Sequence, residues 1–219
     1  MAVLKWDEAG QHLYETGISK VVLYVQDTSG SYPNGVAWNG VSSISESPSG
    51  AEANALYADN TKYLNLYSNE DFGATLEAYT YPEEFYACDG LGELDDSIDG
   101  ITISQQTRQS FGLCYRTEIG NDIQGDKYGY KLHLIYGCKA SPSEKSYSTI
   151  NESPEANTFS WEITTVPVNV EGKKPTSKIE IDSTKIAPDK LAMIEAKLYG
   201  TETDPAQMPT PAELLTLLK

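Results

Sequence analysis

Apolar and polar residues alternate with a period of two along most of this chain. Tyr128, Tyr130, Leu132, Leu134 and Tyr136 fall on one face of an extended segment, with Lys131 and His133 on the other. Phe111, Leu113 and Tyr115 alternate with Gly112, Cys114 and Arg116, and Phe159, Trp161 and Ile163 with Ser160, Glu162 and Thr164. Ile179 and Ile181 alternate with Lys178, Glu180 and Asp182, and Phe72, Ala74, Leu76 and Ala78 form a weaker run. Val21 to Val25 is apolar without interruption, the pattern of a strand buried on both faces. Turn-forming residues separate the runs: Ser29-Gly30, Pro33-Asn34-Gly35, Asn39-Gly40, Ser47-Pro48-Ser49-Gly50 and Asp99-Gly100. The Gly120 to Asp126 stretch is set to join the Phe111 and Tyr128 runs as a long hairpin. These patterns predict a mainly β protein, an antiparallel sandwich or barrel.

Helical signals are few. Pro82 to Ala87 fits a short helix with proline at its first position. Pro188 to Tyr199 places Leu191, Ile194 and Leu198 on one face, with Gly200 where a C-terminal cap belongs. Pro211 to Leu218 is a second, leucine-rich piece, and the proline-rich Thr203 to Pro211 stretch reads as a linker. The chain thus divides into a β domain over residues 1–182 and a C-terminal helical extension with its linker over residues 183–219. The Ser42 to Thr61 segment is small and polar, with Ala51, Ala53, Ala55 and Leu56 in its middle, and reads as a long loop. A loop of that length in a compact domain usually has a function.

Composition narrows the function. The 219 residues fit one large β domain. No apolar run approaches the roughly 20 residues that span a bilayer, and the N-terminus lacks the basic and apolar regions of a signal peptide. Both point to a chain that stays in the cytoplasm where it is made. Cys88, Cys114 and Cys138 are odd in number and show no Cys-x-x-Cys spacing, so they are expected as buried free thiols. The net charge is -16, and residues 1–107 hold 17 of the 32 acids but only Lys5, Lys20 and Lys62 of the 16 bases. Such a chain repels a phosphate backbone, which argues against specific nucleic-acid binding. Tyrosine occurs 15 times against 4 phenylalanines, which suits half-wet strand faces and subunit interfaces.

Catalytic patterns are missing from the sequence. His12 and His133 are the only histidines, and no nucleophile elbow, zinc-protease motif or phosphate-cradling loop is present. Glu162 lies among aromatics but opposite them on its strand. No local motif pairs it with the second carboxylate that a glycosidase needs. No catalytic, metal or cofactor-binding residue is therefore expected.

Several stretches, taken in order, carry a family likeness. They are Val36-Ala37-Trp38-Asn39-Gly40, Ser45 to Glu52, Leu56-Tyr57-Ala58-Asp59-Asn60 and Ala78-Tyr79-Thr80-Tyr81-Pro82-Glu83-Glu84-Phe85. Phe111 to Arg116, Gly129-Tyr130-Lys131-Leu132-His133 and Phe159-Ser160-Trp161-Glu162 follow. Together they resemble the phi13-type major tail proteins of long-tailed bacteriophages, over most of the chain up to Asp182. The resemblance implies a tail tube subunit that forms hexameric β rings, stacked into a conduit for DNA. It implies the chain itself, a tape measure protein, a tail tip and a tail terminator as partners. It also implies a location in the virion tail after assembly in the host cytoplasm.

Within that frame Ser47, Pro48, Ser49, Gly50, Ala51, Glu52, Ala53, Asn54 and Ala55 are the expected contact with the next subunit or ring. Glu70, Asp71 and Glu77, with the acids between Pro82 and Gly100, are candidates for a lumen wall that repels DNA. The alternative is a monomeric β-sandwich module of carbohydrate-binding or adhesin type, with Trp38 or exposed tyrosines as its platform.

Overall fold

The computed structural model describes residues 3–95, 100–150, 152–153 and 155–218. The protein is mainly β, its strands pair antiparallel, three short helices accompany them, and there is no closed barrel among the described residues. In chain order the strands begin with β1 (Tyr14–Val25), β2 (Val36–Ala37), β3 (Val41–Glu46), β4 (Ser49–Gly50) and β5 (Ala53–Ala58). Next come β6 (Thr61–Tyr67), β7 (Glu70–Asp71) and β8 (Gly73–Ala78). A 3-10 turn, Glu83–Phe85, runs into α1 (Tyr86–Asp89), with Pro82 immediately before it. Then follow β9 (Gly92–Glu93), β10 (Thr102–Ile103), β11 (Phe111–Asn121), β12 (Gly125–Ala140), β13 (Phe159–Thr165) and β14 (Lys178–Asp182). The chain closes with α2 (Pro188–Tyr199) and α3 (Pro211–Leu218), at the positions their periodicity predicts.

The main sheet has the order β2-β1-β11-β12-β13-β8-β3, and β14 also pairs with β12. The predicted long hairpin is β11–β12, closed where Asn121 accepts hydrogen bonds from the Ile123 and Gln124 amides at 3.2 and 2.6 Å. β12 changes partner along its length. Lys131 to Ile135 pair with β14, whereas Cys138 to Ala140 pair with β13. The switch falls at Gly137, which has φ +61°, and a Cβ there would sit 2.2 Å from the Val166 carbonyl oxygen. Only glycine fits this bulge.

The sheet curls so that its halves enclose a first core. Val21 and Leu23 from β1, and Phe111, Leu113 and Tyr115 from β11, meet Leu76, Trp161 and Ile163 from the other half. Trp161 is ringed by Trp38, Tyr81 and Phe85, with ring centroids 5.2–5.7 Å apart and mostly edge to face. Residues of opposite parity on the same strands, Val22, Tyr24, Cys114, Leu132, Leu134 and Tyr136, form a second core with Leu191, Ile194, Leu198 and Leu214 of the helices. The strand expected to be buried on both faces is so buried, and β11 and β12 share that property with it.

The stretch expected as a linker is seated on the sheet. Met208 is buried and its amide donates to the Tyr32 carbonyl at 3.1 Å. The Tyr136 hydroxyl donates to the Pro209 carbonyl at 2.9 Å, and the Tyr24 hydroxyl to the Leu198 carbonyl at 2.6 Å. Buried tyrosines need such acceptors, and the helical segment supplies them. The three cysteines are free and buried. Burial pushes the Cys88 and Cys114 thiols up to about 12, so they stay protonated and unreactive at neutral pH.

Candidate assembly surface

The segment expected as a loop, Ser42 to Thr61, is mostly strand. β3 continues into a thin arm, in which β4 pairs with β7 and β5 with β6 before the chain returns through β8. Asp59 and Asn60 turn the β5–β6 hairpin with φ +48° and +61°, the left-handed pair that a type I′ turn requires. Of the candidate contact residues, Ser49 and Gly50 lie in β4, Ala53, Asn54 and Ala55 in β5, and Ser47, Pro48, Ala51 and Glu52 in the bends between them. All are exposed except half-buried Ala55.

The arm carries more apolar surface than that segment alone suggests. Leu56 pairs with Leu64 and Asn54 with Leu66, which puts three leucines on one face. They are exposed, and Tyr57, Tyr63 and Tyr67 are 72%, 72% and 69% exposed. Leu64, Leu66, Tyr63 and Tyr67 lie beyond the candidate loop. The signal that finds them is the Asp59-Asn60 turn between two runs of strand-forming residues. A solitary two-stranded ribbon is marginal in water, and this one leaves its leucine face exposed.

A polar network ties the foot of the arm to the sheet. Glu46, the last residue of β3, accepts from Lys178 Nζ of β14 at 2.6 and 2.7 Å and from the Tyr115 hydroxyl of β11. Tyr115 stacks on the His133 ring of β12, with centroids 4.6 Å apart. Glu15 of β1 and Glu180 of β14 both bind Lys131, at 2.8 and 3.0 Å. Partial burial alone would raise these two carboxyls, but the Lys131 pairing outweighs it and holds both below the usual carboxylate range. Burial, reinforced by the Lys178 cation, holds the His133 imidazole below its ordinary value and neutral at pH 7. His133, read from the sequence as one half of a polar strand face, is thus a buried member of this network.

The candidate lumen acids separate into different settings. Glu77 projects away from the first core between β3 and β13, half-buried, and accepts from Ser43 Oγ at 2.9 Å. The same face carries Ser45, Thr75, Ser160 and exposed Glu162, a polar wall that the sequence resolved only strand by strand. Glu70 and Asp71 are exposed on β7, at the arm rather than on that wall. Glu83, Glu84, Glu93 and Asp95 are exposed, and Asp96 and Asp99 lie outside the described residues.

Asp89 is a correction: it is buried, not a wall acid or part of a solvated run. It accepts from Lys145 Nζ at 2.7 Å and Trp161 Nε1 at 3.1 Å, with Arg108 at 3.5 Å. Its position at the end of α1 and the approach of the 141–150 stretch create the hub.

Trp38, the platform of the binding-module alternative, is also buried, and its indole donates to the Thr80 carbonyl at 2.8 Å. Among the described residues no group of three His, Cys, Asp or Glu side chains is arranged to hold a metal ion. His12 is half-exposed beside Asp7 and Asp122 at 3.6 and 3.2 Å, with no nucleophile in that cluster.

Comparison with known proteins adds little. No family model matches the chain, and no curated protein does. Among solved structures it is similar to the sheath/tube terminator of an extracellular contractile injection system, PVC, in the extended state. Identity is 11%, with 82% of this chain and 99% of that chain covered, at a TM-score of 0.34. It is also similar to the PVC sheath-tube complex in the extended state, at 14% identity over 74% of this chain and 88% of that chain, with a TM-score of 0.31. Both scores are too low to establish a shared fold.

Proposed function

We propose that this chain is the structural subunit of a phage tail tube, that it assembles with copies of itself into stacked hexameric rings, and that DNA passes through without specific binding. The arm carries the reading. It presents three leucines and three tyrosines to solvent on a ribbon too thin to be stable alone, and a second copy of the chain is the partner that covers it. The sequence resemblance supports the same conclusion and supplies the ring number, the virion location and the tape measure, tip and terminator partners. The Glu77 and Glu162 face is the proposed lumen wall, since acids repeated around a ring repel a duplex carrying one charge per roughly 1.7 Å.

Electron microscopy of the purified protein tests this directly, with tubes of stacked rings as the expected result. Leu56→Asp combined with Leu66→Asp is expected to abolish tubes. Because both side chains are exposed, subunit stability should change by no more than about 0.5 kcal/mol per site. Normal tubes from this variant would remove the arm from the assembly mechanism. A wild-type chain that stays monomeric at high concentration would remove the tube reading itself.

A further inference from the structure

His133 is the one buried histidine, and its bonding leaves one nitrogen bare. The Thr117 hydroxyl donates its proton to Glu15 at 2.6 Å, so at 2.9 Å from His133 Nε2 it accepts from the ring. The imidazole proton therefore sits on Nε2. Nδ1 carries a lone pair, is shut off from solvent and has no hydrogen-bond partner. It faces Glu180 Oε2 at 3.6 Å and Glu46 Oε1 at 3.9 Å, both already engaged by Lys178.

Every element around the ring contributes a charged or titratable group: Glu15 from β1, Glu46 from β3, Tyr115 from β11, Lys131 from β12, and Lys178 and Glu180 from β14. The Lys178–Glu46–Tyr115 arrangement is therefore built around an uncharged ring. Glu46 is also the last residue before the arm, and the next amide, Ser47, closes the foot by donating to the Gly73 carbonyl at 2.8 Å.

We propose that His133 is a proton-operated latch for the arm: uptake of a proton at Nδ1 makes it a donor that competes with Lys178 for Glu46 and Glu180, and the foot of the arm opens. Burial is the largest effect opposing the imidazolium, ahead of the Lys178 cation and against the pull of Glu180, Glu46 and Glu15, and opening relieves it by letting water reach the ring. The inference rests on the reading of the arm as the assembly element, and it makes that element's attachment depend on pH. The sign follows from the depressed value of His133. The latch is intact above the ordinary imidazole value of about 6.5 and is lost as pH falls through the folded value. The Glu15 and Glu180 carboxyls are also held low, and the His133→Gln variant separates their titration from that of the ring.

The test uses dilute, unassembled subunit. Amide exchange at Ser47, corrected for its intrinsic pH dependence, is expected to be about tenfold faster near pH 5 than near pH 7. In His133→Gln the change should stay within about twofold. The wild-type ring resonances of His133, followed by NMR, should titrate with the same midpoint as the Ser47 amide, which needs no variant. A ring that titrates while Ser47 does not respond overturns the latch, and so does an equal response in His133→Gln. Tubes formed at neutral pH by a protein with a silent latch would leave the assembly reading standing and remove only this one.

Discussion

Replacing Asp89 by alanine is expected to destabilise the fold by about 3–5 kcal/mol, the usual consequence of removing one partner from a buried charged network. Two cations and an indole N–H converge on this carboxylate, and the Trp161 side chain that donates to it is fully buried at the centre of the first core. Without the acid, the Trp161 N–H is left in an apolar pocket with no acceptor. Lys145 then lies over the Tyr81 and Phe159 rings, 5.0 and 6.0 Å from their centroids, with no counter-charge. Asp89→Asn retains an acceptor for Trp161 and loses only the ion pairs, so it should fall between wild type and alanine. Urea unfolding followed by tryptophan fluorescence measures all three. An alanine variant within about 1 kcal/mol of wild type would show that the hub is incidental to stability.

The second large effect is expected at Gly137. Alanine there must keep φ +61° and place its Cβ against backbone atoms of Val166 that cannot rotate away. The expected cost is at least about 2 kcal/mol. The change also perturbs the switch of β12 from β14 to β13, because the Gly137 amide donates to the Tyr32 hydroxyl at 2.9 Å and its carbonyl accepts from the Val166 amide at 2.9 Å. Thermal unfolding of Gly137→Ala against Gly125→Ala separates strain from crowding. Gly125 has φ +60° but open space around its Cβ, so it should suffer only the backbone penalty.

Much of this architecture is legible in the sequence because period-two burial is a local signal. The runs at Phe111, Tyr128, Phe159 and Ile179 all become strands, and α2 and α3 begin and end at their prolines and their last apolar residues. The arm is less legible. Its small residues carry little periodicity, and the diagnostic turn at Asp59-Asn60 lies at the far end of the Ser42 to Thr61 segment, whose small, polar composition reads as loop. Asp89 could not be recognised as buried, since its partners Arg108, Lys145 and Trp161 are 19, 56 and 72 residues away in sequence. An acidic run has the same composition whether or not one of its members turns inward. His133 has the same difficulty: five strands supply its surroundings, and no spacing along the chain announces them.

β1, β11 and β12 send alternate side chains into opposite cores, so neither core owns its own strands. The two cores consequently have no seam between them along which one could melt while the other persisted. The helical C-terminal segment and the curled half of the sheet are bound to one thermodynamic fate, and calorimetry should show a single transition with equal calorimetric and van't Hoff enthalpies. A subunit of this kind brings both cores to its partners or neither. Partly melted copies, with bare strand edges free to join the wrong neighbour, would then be rare in the pool from which a polymer grows.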